Sequence, residues 1–460
     1  MDLEKESLLP SKKPSPDHSL SLKQLISIII IILPSLPPGM SVGFSAIALP
    51  QLPLNLDQSS WFASLSVVGS VLGNLLTGYV IDRYGRKKAL FVNIIPAFTG
   101  FIFLTVAGSL EVTYLYIGQL CAGISQGAVI YAAYVYIAES LAPDNVRFRS
   151  SLASLNALSV TSGITMTYVL GYFVIYKTVA LIAASIALIS SILVLVFIPE
   201  SPAWLDQQGR FEEAQQARYR LGCTHIATSD VSIGENLKSR DSLSSYLLKV
   251  ARKDVHKPLL IAITYCFLRE FSGTQIYAAH MVDIITVKSL PIDSYLTTLI
   301  CGLLMMLGMI SYTTFLPKLG VRKIAMLSSL VASLATLVLG ICINLSDSVT
   351  GYSHIVDYIH IVSVWANVYF SAMGIATIPH ALVGEIFPTD AKGFASIAIF
   401  GDSMFFFITL MIYPRAVMLS SYGVFYVYAM IGFLAVPFIY YCVPETVGRT
   451  LEQVCSDYTS

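Results

Sequence analysis

The sequence predicts an all-α polytopic membrane protein with twelve transmembrane helices in two six-helix bundles. Of its 460 residues, 55% are hydrophobic and only 12% are charged, and the mean hydropathy is +0.71. Apolar runs of about 20 residues recur along the chain, the length that a helix needs to cross the hydrocarbon core of a bilayer. The runs fall into two groups, and short charged sequences recur at matching places in both groups.

Other classes of protein are disfavoured. The formal net charge is zero, which argues against nucleic-acid binding because that function needs a concentrated basic surface. The 7 cysteines are scattered, with no CxxC or Cys/His spacing, so we predict neither disulfides nor a metal site. The sequence contains no GxxxxGK[ST], GxSxG or HExxH motif, so we predict no enzyme and no cofactor.

Residues 1–22 are polar and lack the apolar core of a signal peptide, so we predict a cytoplasmic N-terminal tail. Within it, Glu4, Leu8 and Leu9 match an acidic dileucine pattern, which sorting adaptors recognise. The alternative is a tail without a signal, since so short a pattern arises often by chance.

The two predicted bundles are residues 23–198 and 258–443, separated by a polar cytoplasmic linker at 199–257 and followed by a cytoplasmic tail at 444–460. Spans one to six lie at about 23–49, 60–80, 88–108, 113–138, 150–173 and 178–198, and spans seven to twelve at about 258–286, 293–315, 322–344, 357–384, 392–413 and 420–443. The linker is either a passive tether or a latch for the inner face.

The distribution of basic residues sets the orientation. With both termini inside, the outer loops contain only Lys177, Lys288 and Arg415, as expected when Lys and Arg concentrate in cytoplasmic loops. Asn344 begins a glycosylation sequon, Asn-Leu-Ser, at the start of the outer loop between spans nine and ten.

Three charged inner loops are repeated in the two halves. DRYGRKK at 82–88 matches PKLGVRK at 317–323, and PES at 199–201 matches PET at 444–446. In the third pair, Glu139 precedes Arg149 as Glu385 precedes Lys392. Acids and bases in these loops can pair when the cytoplasmic side is shut, and such a network can bias two conformations. The alternative is that the charges only set topology. The candidate gating residues are Asp82, Arg83, Arg86, Glu139, Arg149, Glu200, Glu385, Lys392 and Glu445.

Arg269 and Glu270 lie inside the apolar run of span seven. An ionised side chain at the bilayer centre costs about 2.5–3.5 kcal/mol on insertion scales, so such residues face a bundle interior or a watery cavity. They form either an internal ion pair that locks two helices or part of a substrate cavity. We predict that one of them pairs with a polar residue of the opposite half or with the other's neighbour.

Six sequences in order resemble the sugar porter branch of the major facilitator superfamily, over residues 23–455. They are DRYGRKK at 82–88, VYIAES at 135–140, PESPAWL at 199–205, FSGTQ at 271–275, VGEIFPTDAKG at 383–393 and PETVGRTLE at 444–452. Within that branch, GMSVGFSAIALPQL at 39–52 is most similar to the insect facilitated trehalose transporters.

The resemblance implies a substrate site with altered chemistry. Arg269 and Glu270 stand where the family has two glutamines that bind sugar hydroxyls, and His380 stands where it has a tryptophan. Ala157 takes the place of a glutamine in span five. The other implied substrate-binding residues are Asn156, Gln275 and Asp402.

The implied function is facilitative uniport of a neutral sugar, trehalose or a hexose, by alternating access between the two halves. Ser45 stands where proton-coupled members have an aspartate, which favours downhill transport. Proton coupling through Glu270, His380 and Asp402 is the lesser option. The alternative functions are a non-transporting sugar sensor and a carrier of a different polyol or a charged solute. The family resides in the plasma membrane, and the dileucine pattern leaves endosomes or lysosomes open.

Overall fold

The computed structural model describes residues 22–107, 112–140, 146–222, 253–285, 293–348, 354–379, 382, 386, 395–447, 449 and 453. For Leu22, Asp82, residues 138–140, residues 146–154, residues 253–254, Ser348 and residues 395–396, only the backbone is described. Within these residues the regular secondary structure is helical, without strands, and the predicted all-α fold class is confirmed.

The first half contains spans one to six. Span one consists of α1 (Leu22–Ile32) and α2 (Leu36–Ala48), joined by a 3₁₀ turn, and span three of α4 (Arg86–Val92) and α5 (Ile94–Val106). Spans two, four, five and six are α3 (Leu56–Tyr84), α6 (Val112–Ser140), α7 (Val146–Phe173) and α8 (Tyr176–Phe197). Two short helices, α9 (Pro202–Gln207) and α10 (Phe211–Leu221), begin the linker.

The second half contains spans seven to twelve. Span seven is split into α11 (Lys253–Phe271) and α12 (Ile276–Ile285). Spans eight to twelve are α13 (Ser294–Leu319), α14 (Val321–Ser348), α15 (His354–Met373), α16 (Ala395–Leu419) and α17 (Gly423–Cys442). A helix therefore lies at each of the twelve predicted positions.

Nine helices within the described residues are long and apolar enough to cross a membrane. The other three helical positions are spans five, seven and ten, which are more polar or interrupted. Span seven is broken into pieces of 19 and 10 residues, and span ten contains the buried Asp357, His360 and Asn367. Polar residues in membrane helices usually face the bundle interior.

Large apolar side chains cover the outside of the helices. Leu75 in span two is 68% exposed, Val196 in span six 64% and Leu434 in span twelve 56%. A contiguous apolar surface of this kind is stable in a bilayer, where lipid tails rather than water contact it.

The buried core of the spans forms one cluster at the predicted outer end and two at the predicted cytoplasmic end, and a fourth, small cluster lies in the linker helices α9 and α10. The outer cluster includes Phe44, Ile47, Phe62 and Tyr168 from the first half and Ile276, Tyr277, Tyr413 and Phe425 from the second half. The first-half inner cluster includes Ile31, Leu90, Tyr136 and Val194. The second-half inner cluster includes Tyr265, Ile324, Ile386 and Ile439.

The two halves are therefore packed together at their outer ends. Contact between them extends inward to Ala157 and Leu158 of span five, which pack against the second-half inner cluster. Nearer the cytoplasm, no apolar cluster joins the halves among the residues that the structure describes. For the predicted orientation, with both termini inside, this arrangement corresponds to an inward-facing state.

Candidate substrate and gating sites

The break in span seven is built by a short polar turn between α11 and α12. Gly273 has φ of +80°, and a Cβ there would lie 2.4 Å from the ring of Tyr428. The Ser272 hydroxyl donates to the Arg269 carbonyl at 2.7 Å, and the Thr274 hydroxyl donates to the same oxygen at 2.8 Å. These hydroxyls satisfy a carbonyl that the break leaves without its helical partner, as the membrane interior requires.

Arg269 and Glu270, just before this break, belong to a buried ionic cluster with Asp402 of span eleven. Arg269 Nη1 donates to Asp402 Oδ1 at 2.8 Å and to Oδ2 at 2.9 Å, and it lies 3.0 Å from Glu270 Oε1. The three residues are 2%, 1% and 6% exposed. We call this the ionic triad. It joins α11 to α16 within the second half, whereas we had considered a partner in the opposite half.

The triad places one cation beside two carboxyl groups. Cys266, one turn before Glu270, also hydrogen-bonds to Asp402. Glu270 Oε2 is buried without a hydrogen-bond partner among the described residues. In this state the geometry is therefore that of an internal ion pair rather than of side chains that line an open cavity.

Asn156, the predicted substrate ligand of span five, is engaged within the first half. Ser35 Oγ donates to Asn156 Oδ1 at 2.7 Å, and Asn156 Nδ2 donates to the Ile130 carbonyl at 3.2 Å. The Ser159 hydroxyl donates to the Ile32 carbonyl at 2.8 Å. These bonds tie spans one, four and five together around the 3₁₀ turn of span one. Gln275, in the break of span seven, is half-buried.

A small polar cavity lies behind the break of span seven. It measures about 10 Å³, which is room for one water molecule. Asn367 Nδ2 donates to Thr336 Oγ1 at 2.8 Å at its wall. The polar side chains that line it are Ser272, Thr274, Ser333, Thr336, Asn367 and Ser371. This cavity was not predicted, although Ser329, Ser333 and Thr336 repeat at helical spacing in an apolar helix, which is a usable signal.

Two of the predicted gating acids bind the backbone of helix N-termini. Glu200 Oε1 accepts from the backbone N–H groups of Arg86 and Lys87 at 2.8 Å each and of Ser201 at 3.0 Å. In the second half, Glu445 accepts from those of Val321 at 2.9 Å and Arg322 at 3.2 Å. A carboxylate at a helix N-terminus is stabilised by free N–H groups and by the helix dipole. The pairing of these acids with basic side chains was predicted for the state in which the cytoplasmic side is shut, and it stays a prediction.

A glycine lies beside each of these acids. Gly85 and Gly320 have φ of +99° and +80°, and a Cβ on either would lie 2.4 Å from a carboxylate oxygen of Glu200 or Glu445 respectively. The repeat seen in the sequence is thus a repeat of the same turn geometry. Arg86 is buried and donates to the Ile81 carbonyl at 3.2 Å, whereas Arg83 is exposed and contacts the Tyr79 hydroxyl.

The predicted roles of several residues stay predictions. The side chains of Asp82, Glu139 and Arg149 are not described, and His380, Glu385 and Lys392 lie outside the described residues, as do the sorting residues Glu4, Leu8 and Leu9. Asn344 lies within α14 and is half-buried, and its Nδ2 is 3.4 Å from the Tyr426 hydroxyl.

Polar contacts between the halves at the outer end were not predicted from the sequence. Thr165 Oγ1 of span five donates to the Gly302 carbonyl of span eight at 2.7 Å. The Tyr168 hydroxyl donates to the Ala278 carbonyl of span seven at 2.8 Å. Arg415 lies 2.6 Å from Asp57, where spans eleven and two meet. These contacts reinforce the outer cluster.

The helix order, the repeated inner loops and the broken span seven define a transporter of the major facilitator class. The chain belongs to the family described as "Sugar (and other) transporter", whose model matches residues 46–458. Members of this family are transporters and not enzymes, as the sequence analysis predicted.

Curated relatives cover nearly the whole chain. Sugar transporter ERD6-like 6 of Arabidopsis thaliana is 29% identical over 99% of this chain and 94% of its own length. Facilitated trehalose transporter Tret1 of Apis mellifera ligustica is 26% identical over 94% of this chain and 87% of its own length. The resemblance to sugar porters, including the insect trehalose transporters, is thereby confirmed.

The fold is shared with a solved structure of the proton:xylose symporter XylE of the major facilitator superfamily. The TM-score is 0.75 at 20% sequence identity, with 95% of this chain and 100% of that chain covered. A partially occluded, inward-open structure of XylE from E. coli has the same TM-score at 19% identity.

Proposed function

We propose that the protein transports a neutral sugar, trehalose or a hexose, across a membrane by alternating access of its two halves. The observation that carries this proposal is the arrangement of the core. One apolar cluster joins the halves at the outer end, while each half keeps its own cluster at the cytoplasmic end. Two bundles that are joined mainly at one end can rock and open the other side of a midplane site.

The chemistry of span seven favours a neutral solute. Arg269 contacts both Glu270 and Asp402 of its own half, so the charge of the arginine is compensated within the protein rather than offered to a charged substrate. Neutral hydroxyls and amides line the nearest polar cavity. A sugar matches such groups because each hydroxyl both donates and accepts hydrogen bonds.

Downhill uniport is the simpler mode of transport. Ser45, at the position that the family resemblance assigns to the acid of proton-coupled members, is buried in α2 and carries no charge.

A non-transporting sugar sensor is the second candidate. The observation that favours it is the burial of Arg269 and Glu270 in the ionic triad, at the two positions where the family resemblance places sugar-binding glutamines. Such a protein would bind a sugar but would not complete the exchange between inward-facing and outward-facing states.

The test is counterflow of labelled trehalose, glucose and fructose into proteoliposomes that contain the purified full-length protein. Saturable uptake of one sugar, equal with and without a pH gradient, supports uniport. Uptake that requires the pH gradient would show proton-coupled transport instead of uniport. Absence of uptake of all three, from protein with an intact cooperative unfolding transition, contradicts the proposal. Liposomes without protein are the control.

We also propose that the protein resides in the plasma membrane, with an endosomal or lysosomal pool if adaptors recognise Glu4, Leu8 and Leu9. The double variant Leu8→Ala/Leu9→Ala should then move to the cell surface in a surface biotinylation assay. Leu3→Ala, in the same tail but outside the pattern, is the matched control. An unchanged distribution of the double variant argues against the signal.

A further inference from the structure

We propose that Glu270 is a proton-binding site and that it carries a proton in this inward-facing state, so that the ionic triad is electrically neutral. This inference goes beyond the proposed transport function and does not depend on which solute is carried. It concerns the charge state of a group at the break of span seven, the point at which the helix changes direction.

The first step of the argument is the charge of the triad. Arg269, Glu270 and Asp402 are at most 6% exposed and lie within membrane-spanning helices. With both carboxyl groups ionised, the cluster would hold one positive and two negative charges. A buried uncompensated charge is strongly unfavourable, and a titratable group in that position gains or loses a proton instead.

The second step identifies the surroundings of Glu270. Helix α11 packs against α16 and α17. From its own helix Arg269 faces Glu270, with Cys266 one turn away, and from α16 Asp402 faces it. Helix α17 contains no charged residue. Among the described residues, Arg269 is therefore the cation that both carboxyl groups share.

The third step decides which carboxyl group holds the proton. Both oxygens of Asp402 lie within 2.9 Å of Arg269 Nη1, and Cys266 also hydrogen-bonds to Asp402. Glu270 has one contact, 3.0 Å from Oε1 to the same nitrogen, and its Oε2 is buried without a hydrogen-bond partner among the described residues. An ionised oxygen needs donors, so Asp402 is the better-solvated anion and Glu270 the acid.

A consequence is that either carboxyl group can balance Arg269. If the charge of Asp402 is removed, Glu270 can release its proton and become the counter-ion. If Glu270 is replaced by glutamine, which has the shape and neutrality of a protonated glutamate, Asp402 remains. Removing both takes away the two carboxyl groups that contact Arg269. The two acids are therefore coupled through the arginine, and their substitutions are not additive.

Infrared spectroscopy of the purified protein tests the proton directly. The wild-type protein should show the carbonyl stretch of a protonated carboxylic acid that Glu270→Gln abolishes. Asp402→Asn should abolish the same band, because Glu270 ionises when Asp402 is neutral. Glu200→Gln, which replaces a carboxylate held by backbone N–H groups, is the matched control and should keep the band. Absence of the band from the wild type, or its survival in Glu270→Gln, overturns the proposal.

Thermal unfolding of the same variants provides a second readout. Glu270→Gln should keep the wild-type unfolding midpoint, Asp402→Asn should lower it, and the double variant should lower it by more than the sum of the two single shifts. A fall in Glu270→Gln as large as that in Asp402→Asn would show that Glu270 is ionised and would overturn the proposal. Neither measurement requires a transported solute, so failure of the transport assay leaves this test intact.

Discussion

Arg269 on span seven contacts both carboxylate oxygens of Asp402 on span eleven, at 2.8 and 2.9 Å, across 133 positions of sequence. The contact joins the broken helix of span seven to its neighbour in the same half. Breaking a buried ionic contact is costly because it leaves a charge without compensation. The inner part of span seven is thus held to its own bundle.

Removing the arginine should destabilise the protein strongly. Arg269→Gln leaves two buried carboxyl groups without their cation, and breaking a buried pair typically costs about 3–5 kcal/mol. Thermal or denaturant unfolding in detergent measures the loss. Arg210→Gln is the matched control, since the side chain of Arg210 is 50% exposed and such a change should stay within about 0.5 kcal/mol. Equal effects of the two variants would contradict a structural role for the triad.

The family resemblance places glutamines at the positions of Arg269 and Glu270, and restoring both glutamines requires a third substitution, at Asp402. The double variant Arg269→Gln/Glu270→Gln leaves Asp402 buried without its cation, whereas adding Asp402→Asn removes every charge of the triad. We expect the triple variant to unfold at a higher temperature than the double variant, because neutral replacement of a buried ionic cluster is often tolerated. If span seven once bound sugar through amides, counterflow should also rise in the triple variant. A triple variant no more stable than the double variant would show that the buried charge of Asp402 does not destabilise the double variant.

The two glycines beside the gating acids should not tolerate a side chain. Gly85→Ala and Gly320→Ala would place a Cβ 2.4 Å from a carboxylate oxygen at a positive φ, which costs about 1–3 kcal/mol in backbone strain alone. Unfolding midpoints measure the effect. Gly78→Ala in α3 is the control, since its Cβ would meet nothing within 4 Å and alanine gains about 0.8–1.0 kcal/mol over glycine in a helix. A stabilising Gly85→Ala would contradict the turn geometry.

Loss of an outer contact should shift the conformational equilibrium. Tyr168→Phe removes the hydrogen bond to the Ala278 carbonyl between the halves, a contribution of about 0.5–1.5 kcal/mol to the inward-facing state. Spin labels at Ile175→Cys and Leu419→Cys, in a variant without other reactive cysteines, should show a larger outward-open population.

Tyr176→Phe is the matched control for this experiment. Its hydroxyl lies 3.5 Å from the Ala107 carbonyl of the same half, so its loss should leave the label distances unchanged. Identical distance distributions in the wild type and Tyr168→Phe would show that this bond does not stabilise the outer closure.

The sequon at Asn344 should remain unmodified. Asn344 is half-buried within α14, which continues to Ser348, and its side chain lies 3.4 Å from the Tyr426 hydroxyl. An acceptor asparagine has to be accessible, as in a surface loop. Asn344→Gln should therefore leave the electrophoretic mobility of protein from eukaryotic cells unchanged before and after glycosidase treatment. A mobility shift of the wild type alone would place the sequon in an accessible segment.

The sequence was sufficient for the helices and their order. Span length and hydropathy are local properties, so the long apolar spans such as α8 and α14 follow from composition alone. Spans five and ten are more polar, yet their places follow from the repeat of six and six. The break of span seven was not predicted, although Ser272, Gly273 and Thr274 are residues that tolerate a turn and can satisfy freed backbone groups.

The roles of the charged residues were predicted less well. Pairing of Glu200 and Glu445 with basic side chains was predicted for the state with a shut cytoplasmic side and stays a prediction, whereas their contacts with backbone N–H groups at the starts of α4 and α14 were not predicted. Sequence spacing brings the two loops of each half together without specifying which donors face the acid. The glycine beside each acid, Gly85 or Gly320, is visible in the sequence and indicates that the acid lies close to the backbone of the turn.

By itself the sequence determined the membrane class, the twelve helix positions, the internal repeat and the residues whose charge had to be explained. Only the tertiary structure decided that Arg269, Glu270 and Asp402 form one cluster and that the two halves meet at their outer ends. The physical reason is distance along the chain. Helix formation and membrane insertion depend on neighbouring residues, whereas the partner of a buried charge is set by how helices more than a hundred residues apart pack together.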